Sequence, residues 1–423
     1  MAKVMRRHWR SDLSSGLPRK DRRACEYEAY VPDPLVGRPS SLDGDVAADV
    51  ADAERAITAL NNEASVLVGT EALARLLLRA ESVASSKIEG LEVGGRRLMR
   101  AEAARELGEE PSDVTAAEVL GNIDAMAWAI QSVEESGTIT LNHLLEVHRR
   151  LLTGTRVEAH AGEIRTEQNW IGGSDYNPCS AAFVPPPPEM VPDLLTDLVA
   201  FCNDDSLPAV AQAALAHAQF ETIHPFVDGN GRTGRTLIHL VLRRRGLATR
   251  VIVPVSLILA TWSQSYVEGL TATRYRGTAT SRGAHEGCNR WMALFAFACQ
   301  RAVADATAFE ARTLEVESAW RERLGAVRAN SSVDLLLRAL PGAPIITVKG
   351  AAELLGRSFE AANNAIDRLV EAGILHQVKV GRRNRAFEAP DVVQAFTDLE
   401  RQLASPSGDT RVSPPVRTVP RRR

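Results

Sequence analysis

Apolar residues recur at three- and four-residue intervals over most of this chain, while alternation with period two is confined to short runs, so the pattern predicts a mainly α-helical protein. Helices are expected over Ala47–Leu60, Glu71–Lys87, Ala211–Thr222 and Thr233–Arg245, the last carrying Leu237, Leu240 and Val241 on one face before a C-capping Gly246. Leu141–Leu152 sets Leu144, Leu145, Val147, His148, Leu151 and Leu152 along an amphipathic stripe that reads as core packing. Two β-like runs, Asn169–Gly173 and Ala182–Val184, flank a Gly-Ser-Asp-Tyr-Asn-Pro turn and stop at Pro185–Pro188, which predicts a small hairpin. Near the C-terminus, Val348–Leu355, Gly356 and Ser358–Ala372 read as helix, tight turn and helix, with Ser358 as N-cap and Glu360 in the first turn. Strand-like Ile374–Val380 and Arg385–Glu388 then surround Gly381-Arg382-Arg383-Asn384.

Composition narrows the class. With 423 residues, 45% hydrophobic and 24% charged, the chain supports two or three globular domains. A net charge of −3 makes no global case for nucleic acid, so any such case must be local. The five cysteines (Cys25, Cys179, Cys202, Cys288, Cys299) are odd in number and scattered, which argues against a disulfide framework and for a reducing compartment. No apolar run has membrane-spanning length and the basic start lacks a signal-type core, so the expected location is cytoplasmic, with no membrane partner. Residues 1–26 are basic and poorly patterned and are expected to be flexible, although Trp9 could dock. Residues 404–423, rich in Pro, Ser and Arg, are expected to be a disordered tail.

The densest chemistry lies in His224-Pro225-Phe226-Val227-Asp228-Gly229-Asn230-Gly231-Arg232-Thr233-Gly234-Arg235, a loop that opens a helix. The free N–H groups of a helix start form an anion site, and Gly229 and Gly231 let backbone approach phosphate oxygens. Arg232 and Arg235, three apart, would project from the first turn on one face, where forked guanidiniums suit phosphate. Asp228 beside phosphates makes sense with a bridging cation, and Mg²⁺ takes one or two carboxylates plus phosphate oxygens. His224 can exchange a proton near neutral pH. Each residue alone has a plainer reading as a structural histidine, a turn or a solvated arginine; the combination is what a plain turn does not explain. A P-loop is excluded because no G-x-x-x-x-G-K-[ST] occurs, and zinc is disfavoured because His217 and His224 do not form H-E-x-x-H.

This stretch resembles the Fic-family signature H-P-F-x-[D/E]-G-N-G-R-x-x-R and matches it at every fixed position. The resemblance implies a Fic-type helical core with a small β-hairpin flap, and transfer of AMP from ATP to a Ser, Thr or Tyr hydroxyl of a protein. In that reading His224 is the base, Asp228 the Mg²⁺ ligand, Gly229, Asn230, Gly231 and Arg232 the phosphate cradle, and Arg235 the γ-phosphate partner. Ser85-Ser86-Lys87-Ile88-Glu89-Gly90 matches the family's inhibitory pattern [S/T]-x-x-x-E-[G/N]; Ser85 and Glu89, four apart, share a helix face, and Glu89 would pair with Arg235 and displace the γ-phosphate. The 169–184 hairpin resembles the family's flap, with Trp170, Ile171, Gly172, Gly173, Phe183 and Val184 clamping the target's main chain as an added strand. Tyr266, Tyr275 and Trp291 are expected to be core.

The C-terminal pattern resembles a winged helix-turn-helix. Lys379, Arg382, Arg383 and Arg385 form a basic wing, and Asn363 and Asn364 could read adenine edges, but Glu360, Asp367 and Glu371 against Arg368 would repel DNA. DNA binding, protein docking and dimerisation all stay open. The expected organisation is a flexible N-terminus (1–26), a helical module with the inhibitory helix (27–100), the catalytic core (101–309), a linker helix (310–330), the winged domain (331–403) and the tail (404–423). Competing functions are a nucleotide-sensing transcription regulator, removal of AMP, and another phosphate-ester transfer on the same fold.

Overall fold

The computed structural model describes residues 1–11, 16–18, 21–63, 70–109, 113–380 and 384–402. In chain order these form strands β1 (Lys3–Trp9) and β2 (Cys25–Val31), then helices α1 (Gly44–Glu63), α2 (Thr70–Ile88), α3 (Gly95–Glu106), α4 (Val114–Ser132), α5 (Leu141–Leu152), α6 (Val191–Cys202), α7 (Ala209–Ile223), α8 (Asn230–Arg244), α9 (Val255–Thr261), α10 (Ser263–Ala272) and α11 (Arg282–Leu324). The C-terminal set is α12 (Ser332–Ala339), β3 (Ile345–Ile346), α13 (Val348–Leu355), α14 (Phe359–Glu371), β4 (His376–Val380), β5 (Asn384–Glu388) and α15 (Pro390–Gln402). Two compact units interleave along the sequence: the first holds 1–54, 128–247 and 264–297, the second 55–127, 248–263 and 298–423. The expected helices are found, and the chain is mainly helical.

The first unit is built on α7. All 15 of its residues are buried, which accounts for an AQAALAHAQFET sequence without a polar face: a helix apolar all round belongs in the middle of a core. It packs against α6 and α8. Gly234 allows the close approach of α8, because a Cβ there would sit 2.8 Å from Glu221 Oε1 and 2.9 Å from Phe220 Cδ1. The α5 stripe buries Leu144, Val147, His148, Leu151 and Leu152 as expected, and the helix starts where Thr140 N–H donates to His143 Nδ1 at 3.0 Å. Tyr266 and Trp291 are core: Tyr266 Oη meets His217 Nε2 at 2.7 Å, and Trp291 Nε1 donates to Ala214 O at 2.7 Å. Burial drives the His217 pKa down to about 3.

The second unit packs α2 against α9, where the buried Glu81 accepts from Ser256 N–H at 2.7 Å. Arg79 of α2 ties this helix to α3 through Glu102 at 2.7 Å. In the C-terminal portion, strands pair antiparallel in the order β3-β5-β4. Leu336, Leu337, Ile366, Leu369 and Phe387 form its core together with Val316 and Trp320 from the end of α11.

Several expectations are corrected. Residues 1–26 are not a flexible arm over their described part: β1 pairs along its whole length with β2, Lys3 opposite Val31 and Trp9 opposite Cys25. Trp9 lies edge-on to Trp170 with centroids 5.3 Å apart. Cys25 and Cys179 form a disulfide, Cα atoms 5.7 Å apart, against the expectation of a reducing compartment without a disulfide framework, because β2 lies beside the remote 178–180 turn. The boundary drawn at 309/310 falls inside α11, a helix of 43 residues, so no separate linker helix exists. Helical periodicity cannot mark a boundary that the helix itself crosses. Nor do 27–100 and 101–309 map one-to-one onto the compact units. The tail 404–423 and wing residues Arg382 and Arg383 lie outside the described residues. No helix among the described residues is long and apolar enough to cross a membrane.

Candidate functional site

The loop between α7 and α8 begins where α7 is stopped. His224 takes a left-handed conformation at the helix C-cap, φ 49° and ψ 61°, and its N–H still closes on Phe220 O at 2.9 Å. Proline at 225 explains the stop, since the residue before a proline is disfavoured in the right-handed helical region. The loop then folds on Asn230: its Oδ1 accepts from Phe226 N–H and its Nδ2 donates to Phe226 O, both at 2.8 Å. Gly229, at φ 75°, is the N-cap of α8, and a Cβ there would lie 2.9 Å from Leu151 Cδ2.

The first turn of α8 is dry. Asn230, Gly231, Arg232, Thr233, Gly234 and Arg235 are all buried, with Arg232 4% and Arg235 1% exposed. Asp228 is the opposite case, its side chain 55% exposed, with Oδ1 accepting from Gly229 N–H at 2.5 Å and standing 3.8 Å from Arg232 Nη2. His224 Nδ1 lies 3.9 Å from Glu221 Oε2, one turn back on α7. The end of α7 thus sets an imidazole beside the Glu221 carboxylate, and the start of α8 sets the Arg232 guanidinium beside Asp228.

Three further residues brace this loop, among them His148, whose place in the α5 stripe shows it only as core. His148 stacks on Phe226 with centroids 3.7 Å apart and planes within 6°. Its Nδ1 accepts from Gly162 N–H and its Nε2 meets Asp228 O, each at 3.0 Å, which puts the ring proton on Nε2. Burial holds its pKa down at about 4, so the ring is neutral at physiological pH. Arg165 and Asn169 both donate to the carbonyl of His224, at 2.9 and 3.1 Å. Their roles at the loop are not legible in local spacing, because the groups they hold are backbone carbonyls, which leave no residue signature.

The flap segment makes less β-structure than expected. Ile171 and Phe183 form one antiparallel bridge and Ser174 and Asn177 another, with Ile171 N–H donating to Phe183 O at 2.8 Å. A 3₁₀ turn over Pro178–Ser180 precedes the second run. Trp170 Nε1 donates to Ser174 O at 2.6 Å. Gly172 and Gly173 both have positive φ. Phe183 lies under the Arg274 guanidinium at 3.6 Å, and Val184 O accepts from Tyr30 N–H at 2.9 Å, so the N-terminal hairpin borders this segment.

In the second unit, Ser85 is buried in α2, but the helix ends at Ile88, so Glu89 sits in the closing turn with Gly90 at φ 82° rather than within the helix. Leu91 N–H returns to Ser86 O at 3.0 Å, and Ser86 Oγ accepts from Asn122 Nδ2 at 3.1 Å. On α14, Asn363 Nδ2 donates to Asp367 at 2.8 Å, while Asn364, Lys379 and Arg385 are exposed. Among the described residues no group of three or more His, Cys, Asp or Glu is placed to hold a metal ion.

Helical core, motif loop and N-terminal helices together define a recognised class. Residues 138–242 match the Fic/DOC family model and residues 47–131 the Fic/DOC family N-terminal model. These two segments of the chain are similar to the Fic/DOC family. It is 38% identical over 143 residues to "Protein adenylyltransferase fic-1" of Caenorhabditis briggsae, a match covering 33% of this chain and 26% of that protein. It is 39% identical over 140 residues to "Protein adenylyltransferase Fic" of Drosophila virilis, covering 32% and 27%. The chain thus spans about a quarter of the length of these curated relatives. A crystal structure of a Fic family protein from Desulfovibrio desulfuricans G20 shares the fold, with TM-score 0.51 and 20% identity over 85% of this chain and 98% of that one.

Proposed function

We propose that this chain is a protein adenylyltransferase that moves AMP from ATP to a hydroxyl side chain of a target protein. The observation that carries the reading is the helix mouth itself: His224 at the end of α7 and the buried Arg232 and Arg235 at the start of α8 flank one loop. A helix N-terminus is a natural place for a polyphosphate, and guanidiniums match its oxygens with forked donors. Glu221 Oε2 stands 3.9 Å from Nδ1 of His224, and an imidazole is a group able to take a proton near neutral pH. In the reaction the target oxygen gives its proton to His224 and bonds to the α-phosphorus, while the bond from that phosphorus to the bridging oxygen breaks and pyrophosphate leaves. Backbone N–H groups at Gly229, Asn230 and Gly231, with Arg232, would hold the α- and β-phosphates, and Arg235 the γ-phosphate.

The donor set fits magnesium. One half-exposed carboxylate, Asp228, leaves the other ligand positions to phosphate oxygens and water, the usual habit of this ion. Bound there, the ion would draw charge from the triphosphate. The names of the relatives at 38 and 39% identity support the activity.

Regulation is part of the reading: Glu89, in the turn that closes α2, would pair with Arg235 and keep ATP in an unproductive pose, and the 170–184 segment would add the target's main chain as a strand. DNA at the C-terminal unit is not part of it, because α14 presents Glu360, Asp367 and Glu371 beside its two asparagines. The test is incorporation of α-labelled ATP into protein by wild type, Glu89→Gly and His224→Ala. Labelling that rises in the first variant and vanishes in the second is expected; labelling independent of His224 would overturn the reading.

A further inference from the structure

The left-handed backbone of His224 is unfavourable for a non-glycine residue, so the fold must hold it in place. Three consecutive carbonyls of the loop are held by two residues. Arg165 Nε donates to His224 O at 2.9 Å, and its backbone N–H donates to Pro225 O at 2.9 Å. Asn169 Nδ2 donates to His224 O at 3.1 Å and to Phe226 O at 3.0 Å. Two amide hydrogens are matched to two carbonyl acceptors, which fixes which end of the Asn169 amide is nitrogen.

The same guanidinium also reaches both roots of the flap. Arg165 Nη1 donates to Glu167 O at 3.0 Å, before the first run, and Nη2 donates to Pro186 O at 2.6 Å, after the second. Arg165 is 3% exposed, and burial lowers its pKa to about 10, so it stays charged at neutral pH. Hydrogen bonds from a charged donor are stronger than those between neutral groups, and several of them together offset the backbone strain.

We infer that Arg165 and Asn169 are positioning residues that set the His224 imidazole in register with the flap, so that the groups rooting the target-binding segment also aim the base. The kinetic part rests on the adenylyltransferase reading. Asn169→Asp is the sharp variant: it keeps shape and turns two donors into acceptors facing two carbonyls. Arg165→Lys keeps charge but replaces a fork reaching several carbonyls by a single ammonium.

Both variants are made in the full chain carrying Glu89→Gly, and transfer, ATP dependence, unfolding midpoint and amide exchange are measured. The expected result for Asn169→Asp is kcat down by about tenfold to a hundredfold, with KM for ATP within about twofold, because misalignment costs the chemical step and not nucleotide binding. Exchange at the Arg165 and Phe226 amides should quicken by about tenfold while the unfolding midpoint holds. Unchanged kcat, or kcat and ATP KM failing together with the midpoint, would overturn the inference. If the Glu89→Gly parent shows no His224-dependent labelling, the adenylyltransferase reading fails by itself, and exchange still decides: unchanged rates at the two amides in Asn169→Asp sink the clamp.

Discussion

The α7–α8 pair and the α13–α14 pair are each two helices joined by a short polar connection, yet the first buries the charges that open its second helix and the second exposes them. At the start of α8, Arg232 and Arg235 are 4% and 1% exposed. At the start of α14, Phe359 is 63% exposed and Glu360 stands in solvent, with Ser358 capping Ala361 N–H at 3.2 Å. An exposed charge is cheap and says little about ligands, whereas a buried one must be matched. Equal motif strength in sequence is therefore unequal in chemistry, and burial separates the two.

The strongest way to break this comparison is His224→Ala, expected to cut AMP transfer by about 10²–10⁴-fold if the imidazole is a general base, read by labelled-ATP incorporation. Next is Gly234→Ala, whose methyl would meet Glu221 and Phe220 below 3 Å; a loss of about 1–3 kcal/mol by denaturant titration is expected, and a neutral result would mean α7 and α8 can spread.

A pH test follows. His217 is buried and its folded pKa, about 3, lies below the ordinary 6.5. The unfolded chain then binds the extra proton between those values, so stability is full above about pH 6.5 and declines as pH falls toward 3. Replacement by Asn should flatten that decline in the unfolding midpoint. The smallest effect belongs to α14: Asn364→Ala is expected to change stability by less than about 0.5 kcal/mol and transfer not at all. A large loss of transfer there would show that the exposed pair takes part in the reaction.

What was legible in the sequence follows the same physics. The α7–loop–α8 site spans adjacent residues, so its glycines, proline and arginines report directly on local backbone and charge. The α5 and α7 helices announced themselves through periodicity or through its complete filling. The N-terminal strands did not, because β1 is basic and its aromatic partner Trp170 lies far along the chain, and strand pairing of this kind has no local period to detect. Asn169 opens the first β-like run and Arg165 stands four residues before it, and neither shows its role in the sequence, since a carbonyl acceptor is the same at every residue. The α2 helix runs one residue beyond the expected Lys87, to Ile88, and Glu89, expected to share a helix face with Ser85, lies in the closing turn.

The bond between Cys25 and Cys179, 154 positions apart, makes that length of polypeptide a covalent ring. A protease cut anywhere within the ring leaves two pieces that travel as one band on a gel until a reductant is added. Thermodynamically, the ring also trims the freedom of the unfolded chain by several kcal/mol in the loop-entropy picture. The same molecule should therefore melt at a lower temperature when handled with thiol reagents than without them.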